Sequence, residues 1–254
     1  MSRNFELLQN AGKGIDGFVS EDGGRSAQPS SVAETVVVET ARPQVEGAER
    51  DEIAKMVSRI FLAAPETPRC VVFMGAEAGT GCSRVCSQAA EVLAATAAGG
   101  SVCVLDANLR TPSLHEHFDV ENRHGLTDAL QDGGTIRKYM QFFAGGRLAL
   151  LTCGSSVGAW QTLLASQQMH SRLTELHREF DYVLVDIPPL SLYPDGVTLA
   201  NMSDGLVLIV KADSTRREVA QAVVQDLRSA KVRVLGAILN ERRFPIPQAL
   251  YHRL

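Results

Sequence analysis

No stretch of this 254-residue chain approaches the ~18 consecutive apolar residues that a membrane-spanning helix needs, so no such helix is expected. The N-terminus, MSRNFELLQNAGKG, lacks the basic-then-apolar order of a secretory signal, which makes the cytoplasm the default compartment. Basic charge is not in excess. Lys and Arg number 25 against 29 Asp and Glu, and the resulting net charge of −4 argues against bulk electrostatic binding of nucleic acid. The five cysteines, Cys70, Cys82, Cys86, Cys103 and Cys153, show no metal-ligand spacing, and their odd number disfavours a disulfide framework. The most informative absence is local: the glycine-rich segment 75–83, GAEAGTGCS, contains no lysine.

Hydrophobic residues at 45% and charged residues at 21% are ordinary for a globular protein, and the length suits one well-buried domain plus a tail. Residues 1–48 read as that tail. They are rich in Gly, Ser, Glu and Gln, and their one apolar patch, Val36-Val37-Val38, is too short to hold a core. From about Glu49 to Ala64, Ile53, Met56, Val57, Ile60 and Phe61 recur at helical spacing. The expected domain runs over 49–245, leaving 246–254 as a short C-terminal tail.

Within the domain, apolar runs at 70–74, 101–106, 147–152, 181–187, 205–211 and 232–239 predict strands. Most are continuous rather than alternating, as strands covered on both faces are. Helical patterns at 83–98, 160–179 and 214–230 lie between them. This alternation predicts an α/β fold, a mainly parallel sheet with helices on both faces. In such a fold the ligand sits beyond the carboxyl ends of the strands. The helix at 160–179 is expected to pack one face through Trp160, Leu163, Leu164, Leu173 and Leu176.

Three motifs fall at strand ends. The first is the apolar strand running into Gly79-Thr80-Gly81-Cys82-Ser83 and then an alanine-rich helix, the context of a phosphate-binding P-loop. There backbone N–H groups and a helix N-terminus cradle phosphates. The second is VCVLDANLRTPSLH, whose Asp106 ends a buried strand. The third is YVLVDIPP, whose Asp186 reads as the aspartate that holds a magnesium ion beside a P-loop.

Taken in order, GAEAGTGCS, VLDANLRTPSLH, GLTDAL, FDYVLVDIPP, SDGLVLIVKADSTRREV and VLGAILN resemble the bacterial tyrosine autokinases, or BY-kinases. These are P-loop proteins of capsule and exopolysaccharide systems, and the resemblance covers roughly residues 50–242. It implies that Gly79, Thr80, Gly81, Cys82 and Ser83 surround the β-phosphate of ATP, with Ser83 reaching Mg²⁺. Asp106 would approach the substrate tyrosine, Asp186 would hold Mg²⁺, and Asn240 would stand on the adenine side. Asn108, in place of the second acid of the family's additional Walker motif, would accept from hydrated Mg²⁺. Arg110 is the better substitute cation, because Arg84, two positions beyond Cys82, points about 200° away on a helix. Glu52 and Lys55 partly match the family's oligomerisation helix, although Ser58 stands where an arginine is expected. The implied partners are a membrane polysaccharide co-polymerase or chain-length regulator, recruiting the protein to the inner face of the membrane, and further copies of the chain.

The departures from the family are as informative. Cys82 replaces the P-loop lysine, whose charge-assisted contact with phosphate is worth roughly 1.5–3 kcal/mol. At a helix N-terminus the pKa of the Cys82 thiol is expected to fall, and a thiolate would repel phosphate. One tyrosine, Tyr251, stands near the C-terminus where the family carries a cluster. The expected function is therefore a nucleotide-sensing pseudokinase that binds ATP and Mg²⁺, with tyrosine autophosphorylation weak or lost. A fully active autokinase is the alternative. A partitioning or positioning ATPase is the weaker one, because that group needs a second lysine early in the loop.

Overall fold

Among the described residues the six apolar runs and one further segment form seven strands: β1 (Cys70–Gly75), β2 (Val102–Asp106), β3 (Gln141–Phe143), β4 (Leu148–Leu151), β5 (Tyr182–Ile187), β6 (Gly205–Lys211) and β7 (Val234–Asn240). They make one sheet in the order β3-β4-β2-β5-β1-β6-β7. Every pairing is parallel except that of β3 with β4. The sheet is part of a computed structural model that describes residues 47–63, 67–96, 100–155, 160–190 and 196–242. All but the last two positions of the expected N-terminal tail, and all of 246–254 with Tyr251, lie outside the described residues.

The continuous apolar strands follow from burial on both faces. Along β1, Cys70, Val72 and Met74 point into one core, while Val71 and Phe73 point into the other. The first core is closed by α4 (Leu126–Gln131), α6 (Gln167–Glu179), α7 (Gly196–Asn201) and α8 (Arg217–Ser229). The second is closed by α1 (Gly47–Val57), α2 (Cys82–Ala95) and α3 (Leu114–His117). On the first helix Ile53 and Val57 are buried, with Phe61 just beyond, and each such burial contributes about 1.5–3 kcal/mol.

The structure redraws two expected elements and adds a third. The first helix begins at Gly47 and, after Val57, continues as a wider π-type turn over Ser58–Leu62, which carries Phe61 inward. The single helix expected over 160–179 is two, α5 (Trp160–Leu164) and α6. Ser166 accepts the Met169 N–H at 3.1 Å and starts the second, because a serine side chain competes for backbone donors. Leu164, Leu173 and Leu176 are buried as expected, but from two helices. The antiparallel β3 has no counterpart in the sequence reading. Three residues, QFF, are too few to show a period, and the pairing with β4 is a tertiary contact.

Candidate functional site

The carboxyl ends of β1, β2, β5, β6 and β7 converge on one loop. Between β1 and α2 the chain takes positive φ at Gly79 (+75°) and Gly81 (+76°), a region costly for residues with a Cβ. Close approach adds to this at Gly81, where a Cβ would lie 2.5 Å from Asn240 Nδ2. A loop so shaped leads into α2, whose first N–H groups have no intrahelical partner, the arrangement that cradles phosphate. Ala78 and Gly79 are exposed at its mouth, and Thr80 is buried beneath it.

On the β5 side the site is acidic and closed. Asp186 is 1% exposed, and its Oδ2 accepts the Ser83 hydroxyl at 2.5 Å. Its Oδ1 is buried with no hydrogen-bond partner among the described residues. A buried carboxylate oxygen left without a donor is costly unless a ligand completes it. Ser83 Oγ and the Asp186 carboxylate are oxygen donors of the kind a divalent metal ion takes beside a phosphate. The residues present therefore fit that ion, which when bound would offset charge on the phosphates.

Asp106 lies directly across from Asp186 in the β2–β5 register. It is fully buried, and both of its oxygens are taken: Oδ1 by the Asn108 N–H at 3.1 Å, Oδ2 by the Ser113 and Leu114 N–H groups at 3.1 and 3.0 Å. In this arrangement Asp106 organises its own 108–114 loop. Burial, and then the charge of Asp186, push the Asp106 carboxyl up to about 8, against the lowering effect of those three donors. Burial likewise raises Asp186 to about 6, with the Ser83 hydroxyl and the neighbouring Cys82 thiol acting in the opposite direction. Asn108 is buried, and its Oδ1 accepts from the Thr111 N–H and hydroxyl at 3.2 and 3.3 Å, so it too is engaged in the turn. Arg110 is half-buried after the same turn.

Cys82 corrects one expectation. Its thiol is not made more acidic by the helix N-terminus. Burial first, then the negative charge of Asp186, raise its pKa well above that of a free cysteine. Lost hydration and a like charge outweigh the backbone contact with Gly75 that acts the other way, which favours the neutral thiol where a cation would stand. Arg84 is drawn away, as its helical position implied: both Glu49 oxygens accept from its Nη2 at 2.8 and 2.9 Å, tying α2 to α1.

The opposite side of the loop is polar and open. Asn240, ending β7, donates from Nδ2 to the Thr80 carbonyl at 2.8 Å. Lys211, ending β6 and paired in register with Asn240, reaches the Gly79 carbonyl from Nζ at 3.5 Å. The same Nζ lies 2.8 Å from Glu241 Oε2. The sequence reading brought Asn240 to this site but missed Lys211 and Glu241. The signal was present: Lys211, like Asp106, is a polar residue ending an apolar strand of a parallel sheet.

The fold and this loop define a P-loop protein. The family model described as cellulose biosynthesis protein BcsQ matches residues 69–228. The tyrosine-protein kinase YwqD of Bacillus subtilis is 31% identical over 183 residues, which is 72% of this chain and 76% of that protein. Among solved structures, the kinase domain of the Escherichia coli tyrosine kinase ETK superposes with a TM-score of 0.64 at 27% identity, covering 70% of this chain and 71% of that one. The chimerical protein CapA2B2 superposes more closely, with a TM-score of 0.72 over 76% of this chain and 85% of that one. At 20% identity that likeness shows the fold alone. The chain belongs to the family the BcsQ description covers and, within the P-loop proteins, to the bacterial tyrosine kinases, with the loop lysine replaced. It spans only 26% of the length of a longer relative, the Escherichia coli tyrosine-protein kinase etk.

Proposed function

We propose that this protein is a cytoplasmic BY-kinase-like regulator of exopolysaccharide or capsule assembly that binds ATP with Mg²⁺ and has weak or no tyrosine autophosphorylation. The observation that carries this reading is the contrast within one loop. The left-handed Gly79 and Gly81, the helix start and the Ser83–Asp186 pair are in place, while the lysine position holds the protonated Cys82 thiol. Backbone donors and the metal ligands serve binding of the nucleotide. The missing ammonium serves the charge that develops during transfer, and its loss in a closed site costs ~10²-fold or more in rate.

In this reading the amides of 79–83 hold the β-phosphate, Ser83 and Asp186 hold Mg²⁺, and Asn240 borders the base. Asp106 keeps the 108–114 loop in position, with Asn108 and Arg110 on it. The partner is a membrane polysaccharide co-polymerase or chain-length regulator, which recruits the protein to the inner face of the membrane. Copies of the chain associate through the α1 surface bearing Glu52 and Lys55. Among the described residues no helix is long and apolar enough to cross a membrane.

The test is ATP binding and phosphotyrosine formation by the full chain, before and after Cys82→Lys, with a tyrosine peptide supplied as acceptor. The expected result is Mg²⁺-dependent ATP binding by the natural protein and a gain of ~10²-fold in transfer on restoring the lysine. Robust phosphotyrosine on the natural protein, abolished by Asp106→Ala, would instead establish the active kinase. Absence of nucleotide binding by both proteins would end the reading.

A further inference from the structure

Resting on the nucleotide-binding reading above, we propose that Lys211 supplies from the end of β6 the cation that the phosphate loop itself lacks, and that Glu241 holds it in reserve when no nucleotide is bound. Gly75–Ser83 contains no basic residue, and Arg84 is held against Glu49 on α1. Lys211 is different. Its ammonium already touches the loop backbone, at the Gly79 carbonyl, beside the exposed mouth formed by Ala78 and Gly79.

The placement follows from the sheet. β6 is the neighbour of β1, so the end of β6 lies next to the beginning of the loop. Lys211 is the last residue of β6, and its side chain is one-third exposed, free to turn about four carbon–carbon bonds. A Gly79 carbonyl at 3.5 Å is a weak partner for an ammonium, and a phosphate oxygen in the adjoining cradle is a much stronger one. Glu241 is the competitor. It follows β7 with a positive φ of 56°, a turn that places its Oε2 on the Lys211 ammonium at 2.8 Å. Its Oε1 lies 3.6 Å from where a Gly81 Cβ would be, so the carboxylate borders the loop as well. Empty, the site pairs Lys211 with Glu241. Filled, it would hand the ammonium to the polyphosphate and release it from Glu241.

The experiment is calorimetric titration of the full chain with ADP and with ATP, in Mg²⁺ and near-physiological salt. The natural protein should bind both. Lys211→Met should weaken binding by about tenfold, the scale of one charge-assisted contact, and Lys211→Arg should retain most of it. Glu241→Gln should tighten binding, because the competing carboxylate is gone. The decisive arm is the Cys82→Lys background: a lysine restored to the loop should make Lys211 nearly dispensable, shrinking the effect of Lys211→Met to about twofold or less. Full, additive loss in that background would mean that Lys211 only ties the loop in place, and unchanged affinity in Lys211→Met would remove its role altogether. Either result overturns the inference while nucleotide binding by the natural protein stands. No binding by the natural protein overturns both.

Discussion

The two flanks of the phosphate loop are built on opposite physical terms. Toward β2 and β5, Asp106 and Asp186 are enclosed, their pKa values are raised, and every described contact they make is with the protein. Toward β6 and β7, Lys211 and Glu241 are partly exposed and meet in an ion pair of the kind that is worth little on its own. Burial makes the acidic flank rigid, and its two carboxyls are costly to ionise together. Exposure makes the basic flank inexpensive to rearrange. A metal ion would relieve the first flank, and a phosphate would recruit the second. In the proposed reading, the loss of the loop lysine leaves the groups that would anchor a metal in place and puts the burden of cationic contact on the partly exposed side chains of the other flank.

Removing the metal anchor should break the contrast most severely. Asp186→Ala should lower Mg²⁺-dependent nucleotide affinity by ~10²-fold or more, read by calorimetry with and without the metal. Nucleotide affinity that is unaffected by Asp186→Ala would mean that the acidic flank does not hold the ion.

A second, smaller effect separates the structural from the chemical role of the acid pair. Asp106→Ala withdraws the acceptor from the Asn108, Ser113 and Leu114 amides. Those three amides should exchange hydrogen at least tenfold faster, because each loses its buried partner, while the amides of β6 and β7 stay unchanged. Uniform acceleration across the sheet would show that Asp106 supports the whole fold rather than its own loop.

The pH dependence sharpens the comparison further. An unfolded aspartate titrates near ~3.9, and both buried carboxyls hold their protons to higher pH in the folded state. The folded protein thus carries more protons than the unfolded one between about pH 4 and about pH 8, and stability from this pair falls as pH rises through that window. Mg²⁺ favours the ionised pair, so its stabilising effect should grow over the same range. Melting temperatures from pH 5 to 8, with and without Mg²⁺, would read both slopes. A Mg²⁺ effect that is largest at low pH contradicts the assignment.

The smallest expected effect lies away from the loop. Glu52 and Lys55 are well exposed and pair with each other at 2.6 Å on α1. Replacing both by alanine should leave the melting temperature nearly unchanged, since such pairs contribute ~0–1 kcal/mol. If the α1 surface joins copies of the chain, the same change should move the elution volume toward monomer. An oligomer that is unaffected would remove the family-based argument for this surface.

Much of the site could be read from strand ends. Asp106, Asp186 and Asn240 each terminate a run of apolar residues, and a parallel sheet gathers such ends on one edge. The sequence by itself determined the alternation of strand and helix, the glycine-rich loop through Gly79 and Gly81, and the missing lysine, because these depend on local periodicity and on residue type. It could not determine that one helix breaks at Ser166, that QFF pairs with β4, or that Lys211 and Glu241 meet beside Gly79. Nor could it foresee that burial and Asp186 raise the Cys82 pKa, or that Asp106 spends its oxygens on its own loop. Each of these depends on which distant groups burial brings within a few ångströms, and only the closed sheet, with its order of strands, decides that.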